Sequence, residues 1–437
     1  MACAACHTVF PELTPFGREF KLNGYVLDNM KQITGITTEA RSTLALNQIP
    51  PISLMVQVAY THTNTALPDS ALAANGALAR NGDLMFPQQA SFFYAGKIAD
   101  NFGAFVQMTY SGVGDHFSWD NTDIRYAKHF SVGDGAASKD LVFGVTLNDA
   151  PTVQDVWNST VAWGSPYSGS ATAPTPIAVP QLAGSLGQNA AGIGAYAWYD
   201  HSLYAEFSLY TAGLRGGAHP LDSTQGQVVH AAAPYWRLAY EYRWDRNSLM
   251  LGTYGLVVSK YPGAGLVLSG PSDKYRDVAA DMQYQFISDV NQFTVLATYI
   301  DEKQTRNASF ADGLSANPSD TLKALKLTAL YYYDRSIGGS IGYFDTTGTS
   351  DALLYPSGPV SGSFTNSPDS NGEVLELNYL PWLNTKLQLQ YTHYNKFNGG
   401  TTNYDVGAGP YPTGSAYTSG RRASDNDTLY LLAWLNF

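Results

Sequence analysis

The chain has 437 residues and only two cysteines, and both fall in its first six positions, as Cys3-Ala4-Ala5-Cys6-His7. C-x-x-C-H is the spacing that attaches a c-type haem. Two thiols three residues apart reach the two vinyl groups of one porphyrin and form thioethers. The next residue, His7, then stands under the iron as its proximal ligand. A redox dithiol shares the C-x-x-C core, but it needs a strand before it and a helix after it inside a βαβ unit. The surrounding sequence supplies neither. A chance match is disfavoured where the whole chain holds only these two cysteines. The spacing therefore predicts one covalent haem c on Cys3, Cys6 and His7.

The residues that follow are read as the cover of that haem. Thr14 before Pro15 is an N-cap followed by proline at the first helical position. A short helix is expected from Pro15 to Leu22, stopped by Gly24. It puts Phe16 and Phe20 on one face, four residues apart, where they can lie over a haem. A small hydrophobic plug without haem is the alternative. Arg18 offers a planar donor fork to a haem propionate; a solvated helix residue is the other reading. The sixth iron ligand is open. Electron-transfer haems commonly take a methionine or a second histidine there, and Met30, Met55 and His129 are the candidates. Met55 lies on the polar parity of the first long strand. His129 shares the parity of Asp123 and Arg125 at the end of another. Ordinary packing for the methionines, and a solvated ring for His129, are the competing readings.

From about residue 50 one theme repeats: some ten residues of alternating character, then a break. Pro51–Tyr60 opens the series and Thr428–Phe437 closes it. Between them lie hairpins around short turns, such as Ser91–Ala99 with Phe102–Gly112, Gly192–Tyr199 with Ser202–Ala212, and Asp277–Ile287 with Asn291–Asp301. The total is 16 expected strands. Short turns alternate with long linkers rich in Gly, Pro, Ser and Asn, as in Asn148–Ala191 and Asn398–Asn426. That is the layout of an antiparallel outer-membrane β-barrel, with the short turns periplasmic. An even strand count leaves both termini on that side. In the last strand every odd residue from Leu429 to Phe437 is apolar and is expected to face lipid. Gln57, Gln107, Asp281, Gln283, Gln285 and Lys326 lie on the polar parity, as do Glu376, Asn378, Gln388 and Gln390. They are expected to line an aqueous lumen. Two units follow: a haem-bearing plug over residues 1–48 and a porin-like barrel over residues 49–437.

Composition agrees. Charged residues make up 14% of the chain, and 30 residues are tyrosine and 41 glycine. Sparse charge suits a surface half turned to lipid, and tyrosine suits an interfacial girdle. Too many aromatics are present for a disordered chain. No run of apolar residues is long enough for a helical membrane span. The net charge of −11 argues against a nucleic-acid partner. Haem attachment and outer-membrane insertion both require export. A signal peptide is therefore expected, and with none before Cys3 the chain is expected to be truncated at Met1.

The run Cys3-x-x-Cys6-His7, Pro11-x-Leu13, Gly17-Arg18-x-Phe20-Lys21 and Gly24-Tyr25, followed by a 16-strand pattern, resembles the fused monohaem cytochrome–porins. These are outer-membrane proteins that include the iron oxidases of iron-oxidising bacteria. The resemblance implies thioether attachment at Cys3 and Cys6, axial ligation by His7, and electron transfer across the outer membrane. An external donor such as Fe²⁺ would reduce the haem, and a periplasmic cytochrome would take the electron. Two other classes remain: a diffusion porin for small solutes, and a sheath around a separate multihaem cytochrome. Both predict a protein without its own haem.

Overall fold

The computed structural model describes residues 3–27, 32–33, 46–67, 81–184, 186–188, 190–211, 228–262, 270–406 and 420–437. Two short helices open the chain, α1 (Cys3–Cys6) and α2 (Pro15–Leu22), followed by a small antiparallel pair, β1 (Gln32–Ile33) and β2 (Leu46–Asn47). Sixteen strands then close on themselves. They are β3 (Ile52–Thr63), β4 (Leu84–Ala99), β5 (Phe102–Ser111), β6 (His116–Val132), β7 (Lys139–Asn148), β8 (Ala191–Tyr199), β9 (Leu203–Thr211) and β10 (Ala233–Trp244). After them come β11 (Asn247–Lys260), β12 (Asp273–Ile287), β13 (Asn291–Thr305), β14 (Ser319–Tyr333), β15 (Ile337–Gly348), β16 (Ser370–Trp382), β17 (Thr385–Lys396) and β18 (Thr428–Asn436). A one-turn helix, α3 (Asn307–Ala311), sits between β13 and β14.

Each strand pairs antiparallel with its sequence neighbours, and β18 closes on β3 from Thr428↔Thr63 to Asn436↔Met55. Beyond that ladder Phe437 and Leu54 exchange backbone bonds of 2.7 and 2.9 Å. Closure leaves no sheet edge and satisfies every strand internally, as a lipid environment demands. The strand count and hairpin pairing agree with the sequence reading. The alternation does too. On β10, Tyr235, Arg237, Ala239 and Glu241 point inward and are buried, whereas Trp236, Leu238, Tyr240 and Tyr242 point outward and are exposed. On β18, Leu431 and Leu435 face out while Tyr430, Leu432 and Trp434 face in.

Two features differ from the sequence expectation. The joint after Phe102–Gly112, due to be a linker in the alternation of short turns and long linkers, is tight: β6 starts at His116, and Gly112–Asp115 makes the turn with Asp115 at φ 52°. More consequential is the segment 149–190, expected as an outer linker. It folds into the lumen instead. Trp157 is wholly buried there, against Trp198 and Tyr204 at ring distances of 5.9 and 5.6 Å. Ser159 donates to Asp281 at 2.5 Å, Ser168 Oγ lies 3.1 Å from Tyr430 Oη, and the backbone amide of Leu182 donates to Asp277 at 2.7 Å. The segment thus touches opposite walls. Gln57, Gln283, Gln285, Asn378 and Gln388, expected to be water-lined, are 1–4% exposed. Apolar and polar side chains on one small-residue-rich segment hide this from any periodicity test.

Candidate functional site

Cys3 opens and Cys6 closes the first turn, and His7 follows at once. Thr14 fixes that turn to the next element. Its hydroxyl donates to the Ala5 carbonyl at 2.6 Å, and its amide donates to the Cys6 carbonyl at 2.9 Å. The same hydroxyl accepts from Gly17 N at 3.1 Å, capping α2 as the sequence predicts. Gly17 is required here, because a Cβ at this position would stand 2.2 Å from the Cys6 carbonyl oxygen. The two helices therefore touch backbone to backbone at the motif.

The His7 ring lies against Phe10 at 4.6 Å, and its Nδ1 is buried without a hydrogen-bond partner. Burial pushes the imidazole down to about 4, while the carbonyls of Pro11 and Glu12 pull the other way. A buried, neutral imidazole suits a metal ligand. Together with the adjacent Cys-x-x-Cys turn it fits a covalent haem held by Cys3, Cys6 and His7. Among the described residues no group of three or more His, Cys, Asp or Glu side chains is arranged to hold a separate metal ion.

The plug is anchored by buried charge. Arg18 is 0% exposed. Its guanidinium meets Glu241 at 2.7 Å, Gln285 at 2.9 Å, the Leu13 carbonyl at 3.2 Å, and Gln283 and Ser248 at 3.3 Å. It is not solvated: its two terminal nitrogens are engaged with β10, β11, β12 and the Leu13 carbonyl, while Nε is buried without a partner. Arg243 ties the same Glu241 to Glu19 of α2, both at 2.9 Å. Lys21 donates to the carbonyls of Val153 and Asp155 at 2.6 and 2.9 Å and lies over Trp163 at 4.6 Å. Burial pushes this ammonium down to about 7, helped by Arg125 and opposed by Asp123, Asp155 and Glu206. Tyr25 donates to Asp123 at 2.7 Å. Arg125 joins wall, plug and inward segment through Asp123, the Lys21 carbonyl and the Gln154 carbonyl. Glu12 is buried against Thr8, and burial pushes its carboxyl up.

The remaining predicted positions are spread out. Phe16 is 41% exposed, and Phe20 is half-buried with its ring edge-on to Tyr25 at 5.9 Å. Met55 faces inward, 4% exposed, in a cluster with Ala59, Tyr430, Leu432 and Trp434, and its sulfur accepts from Gln57 at 3.8 Å. His129 does face the inner side, but both its nitrogens are engaged, with Asp140 at 3.0 Å and Asn23 at 3.1 Å. Met30 lies outside the described residues. Glu12, Lys21 and Tyr25 were not singled out as site residues from sequence; a charged residue inside an apolar plug segment was the available signal.

No family model matches the chain, and no curated protein sequence matches it. Solved structures that resemble it include three outer-membrane proteins. A loop L8 deletion mutant of Vibrio cholerae OmpT aligns with TM-score 0.45 and 8% identity, covering 88% of this chain and 98% of that one. The Acinetobacter baumannii channel DcaP aligns with TM-score 0.44 and 10% identity, over 88% and 96%. Salmonella typhi OmpF, in complex with daunomycin, aligns with TM-score 0.44 and 9% identity, over 88% and 97%. At such scores nothing passes from those proteins to this chain, and the barrel rests on its own hydrogen-bond ladder.

Proposed function

We propose that this chain is an outer-membrane electron-transfer protein. It carries one haem c on Cys3, Cys6 and His7 inside a porin-like barrel whose short-turn side, with both termini, faces the periplasm. Support for the membrane comes from the closed ladder and the outward apolar band. The observation that carries the redox reading is the C-x-x-C-H turn, backed onto α2 and locked to the lumen wall through Arg18 and Glu241. A bound haem would supply a reversible one-electron iron centre. The protein's own residues do the rest. Thr14 and Gly17 set the attachment turn, and Phe10 packs on the ligand ring. The plug and the inward segment fill much of the described lumen, which limits water around the motif. An external donor such as Fe²⁺ would deliver electrons from the long-loop side, and a periplasmic cytochrome would remove them. The acidic balance of −11 favours cationic partners.

The test is vectorial. The holoprotein is placed in liposomes with oxidised cytochrome c inside and ferrous iron added outside. Reduction of the enclosed cytochrome that requires this protein is expected. Leakage of small solutes without any reduction would instead favour the diffusion porin.

A further inference from the structure

One stretch of the inner wall escapes the filling described above. Inward positions on β14 are the even ones, and Asp320, Leu322, Thr328, Leu330 and Tyr332 are all buried. Lys326, at the middle of the strand and on the same parity, is exposed. Its cross-strand neighbours Thr298 on β13 and Phe344 on β15 are only half-buried, as are Ser340 and Val374. Gly342, level with Val374, leaves the wall without a side chain there. A cleft therefore runs at mid-height between the β13–β16 wall and the material that fills the rest of the lumen.

Lys326 is an unusual resident of such a cleft. It forms no hydrogen bond and no ion pair among the described residues. The inward carboxylates on the same wall have other partners: Glu376 is taken by Gln388 and Gln390 at 3.1 and 2.8 Å, Glu302 by Gln304 and the Gln181 amide, and Asp320 by Asn317. A lone cation on the inner wall of a cleft leaves its charge available to an anionic group that enters. The residues just after the attachment motif pack on the same wall. Val9, two residues after His7, packs with Leu296, Leu330, Tyr332 and Leu380. Leu330 follows Lys326 on the same inward row by four residues, about 13 Å along the strand. A haem attached at the motif would be held by its vinyl edge, and its two propionates, on the opposite edge, would lie away from the thioethers.

We infer that the cleft along β13–β16 receives the propionate edge of the haem, with Lys326 as the counter-charge for a propionate carboxylate. This rests on the proposed haem attachment and assigns it a direction. Lysine acts there as a compact point charge, and Ser340 offers a hydroxyl nearby, whereas the Thr298 hydroxyl donates to the Ser159 carbonyl. The two terminal nitrogens of Arg18 are already engaged by five partners on the plug and wall.

The experiment is a potentiometric titration of the purified full-length holoprotein, as wild type and as Lys326→Met, Lys326→Arg and Lys326→Glu. Removing a cation beside the haem favours the ferric state. Lys326→Met is expected to lower the reduction potential, Lys326→Glu to lower it further, and Lys326→Arg to hold it near wild type. The propionate bending band in resonance Raman spectra should shift in Lys326→Met and return in Lys326→Arg. If a variant fails to fold, the wild-type and Lys326→Arg Raman bands still report, because a band typical of a water-solvated propionate in both overturns the inference. Potentials that coincide across coloured, folded variants also overturn it and leave the haem reading standing. A colourless wild type overturns both.

Discussion

Arg18 reached the lumen wall rather than solvent or a propionate, and the reason is visible in its partners. Its two terminal nitrogens meet a carboxylate, two amides, a hydroxyl and a carbonyl at once, with Nε left unpartnered. Its role is to fix the plug in place. Breaking a buried pair from one side costs about 3 kcal/mol or more. Arg18→Ala should therefore loosen α2, read as faster hydrogen exchange over Pro15–Leu22 in the folded barrel. Protection equal to wild type would show that the other anchors suffice. Gly17 is the second single-residue lever. Gly17→Ala drives a Cβ into the Cys6 carbonyl, which stands 2.2 Å from that position. The attachment turn must then shift. The expected outcome is a lower ratio of covalent haem to protein by pyridine haemochrome assay, at unchanged barrel heat-modifiability on gels.

At the scale of elements, α2 was fully legible: cap, proline and stop signals placed it at the residues observed. The strands were legible because period-two alternation survives wherever one face meets lipid. The inward segment 149–190 was not legible. Its packing is set by long-range partners, such as Trp157 with β8 and β9, that no local pattern encodes. Trp157→Ala should cost about 3–5 kcal/mol as a buried aromatic truncation. The cost should appear as local release of the segment, seen as new proteolytic cutting within 149–190. A second effect concerns pH. The folded pKa of Lys21 is lowered to about 7 from an ordinary value of 10.5. The unfolded chain then binds more protons between those values, so stability attributable to Lys21 rises with pH from about 7 to 10.5. Below 7 the buried charge carries its full desolvation cost. Lys21→Met should flatten that part of a denaturation-against-pH curve. An unchanged slope would assign it elsewhere.

For the whole molecule, sequence indicated the barrel and the attachment chemistry, but the lumen contents and the cleft at Lys326 needed three dimensions. A 16-strand barrel can hold an aqueous channel, yet plug and segment occupy this one. In planar bilayers the wild type should therefore conduct far less than an open barrel of equal strand number, and Arg18→Ala should conduct more. The central claim is simpler still. The full-length protein is produced in an exporting, haem-maturing host and its visible spectrum recorded. A Soret band that survives acid–acetone extraction, and is lost in a Cys3→Ser, Cys6→Ser double variant that still inserts, is the predicted result. A correctly inserted wild-type barrel with no covalent chromophore would contradict it.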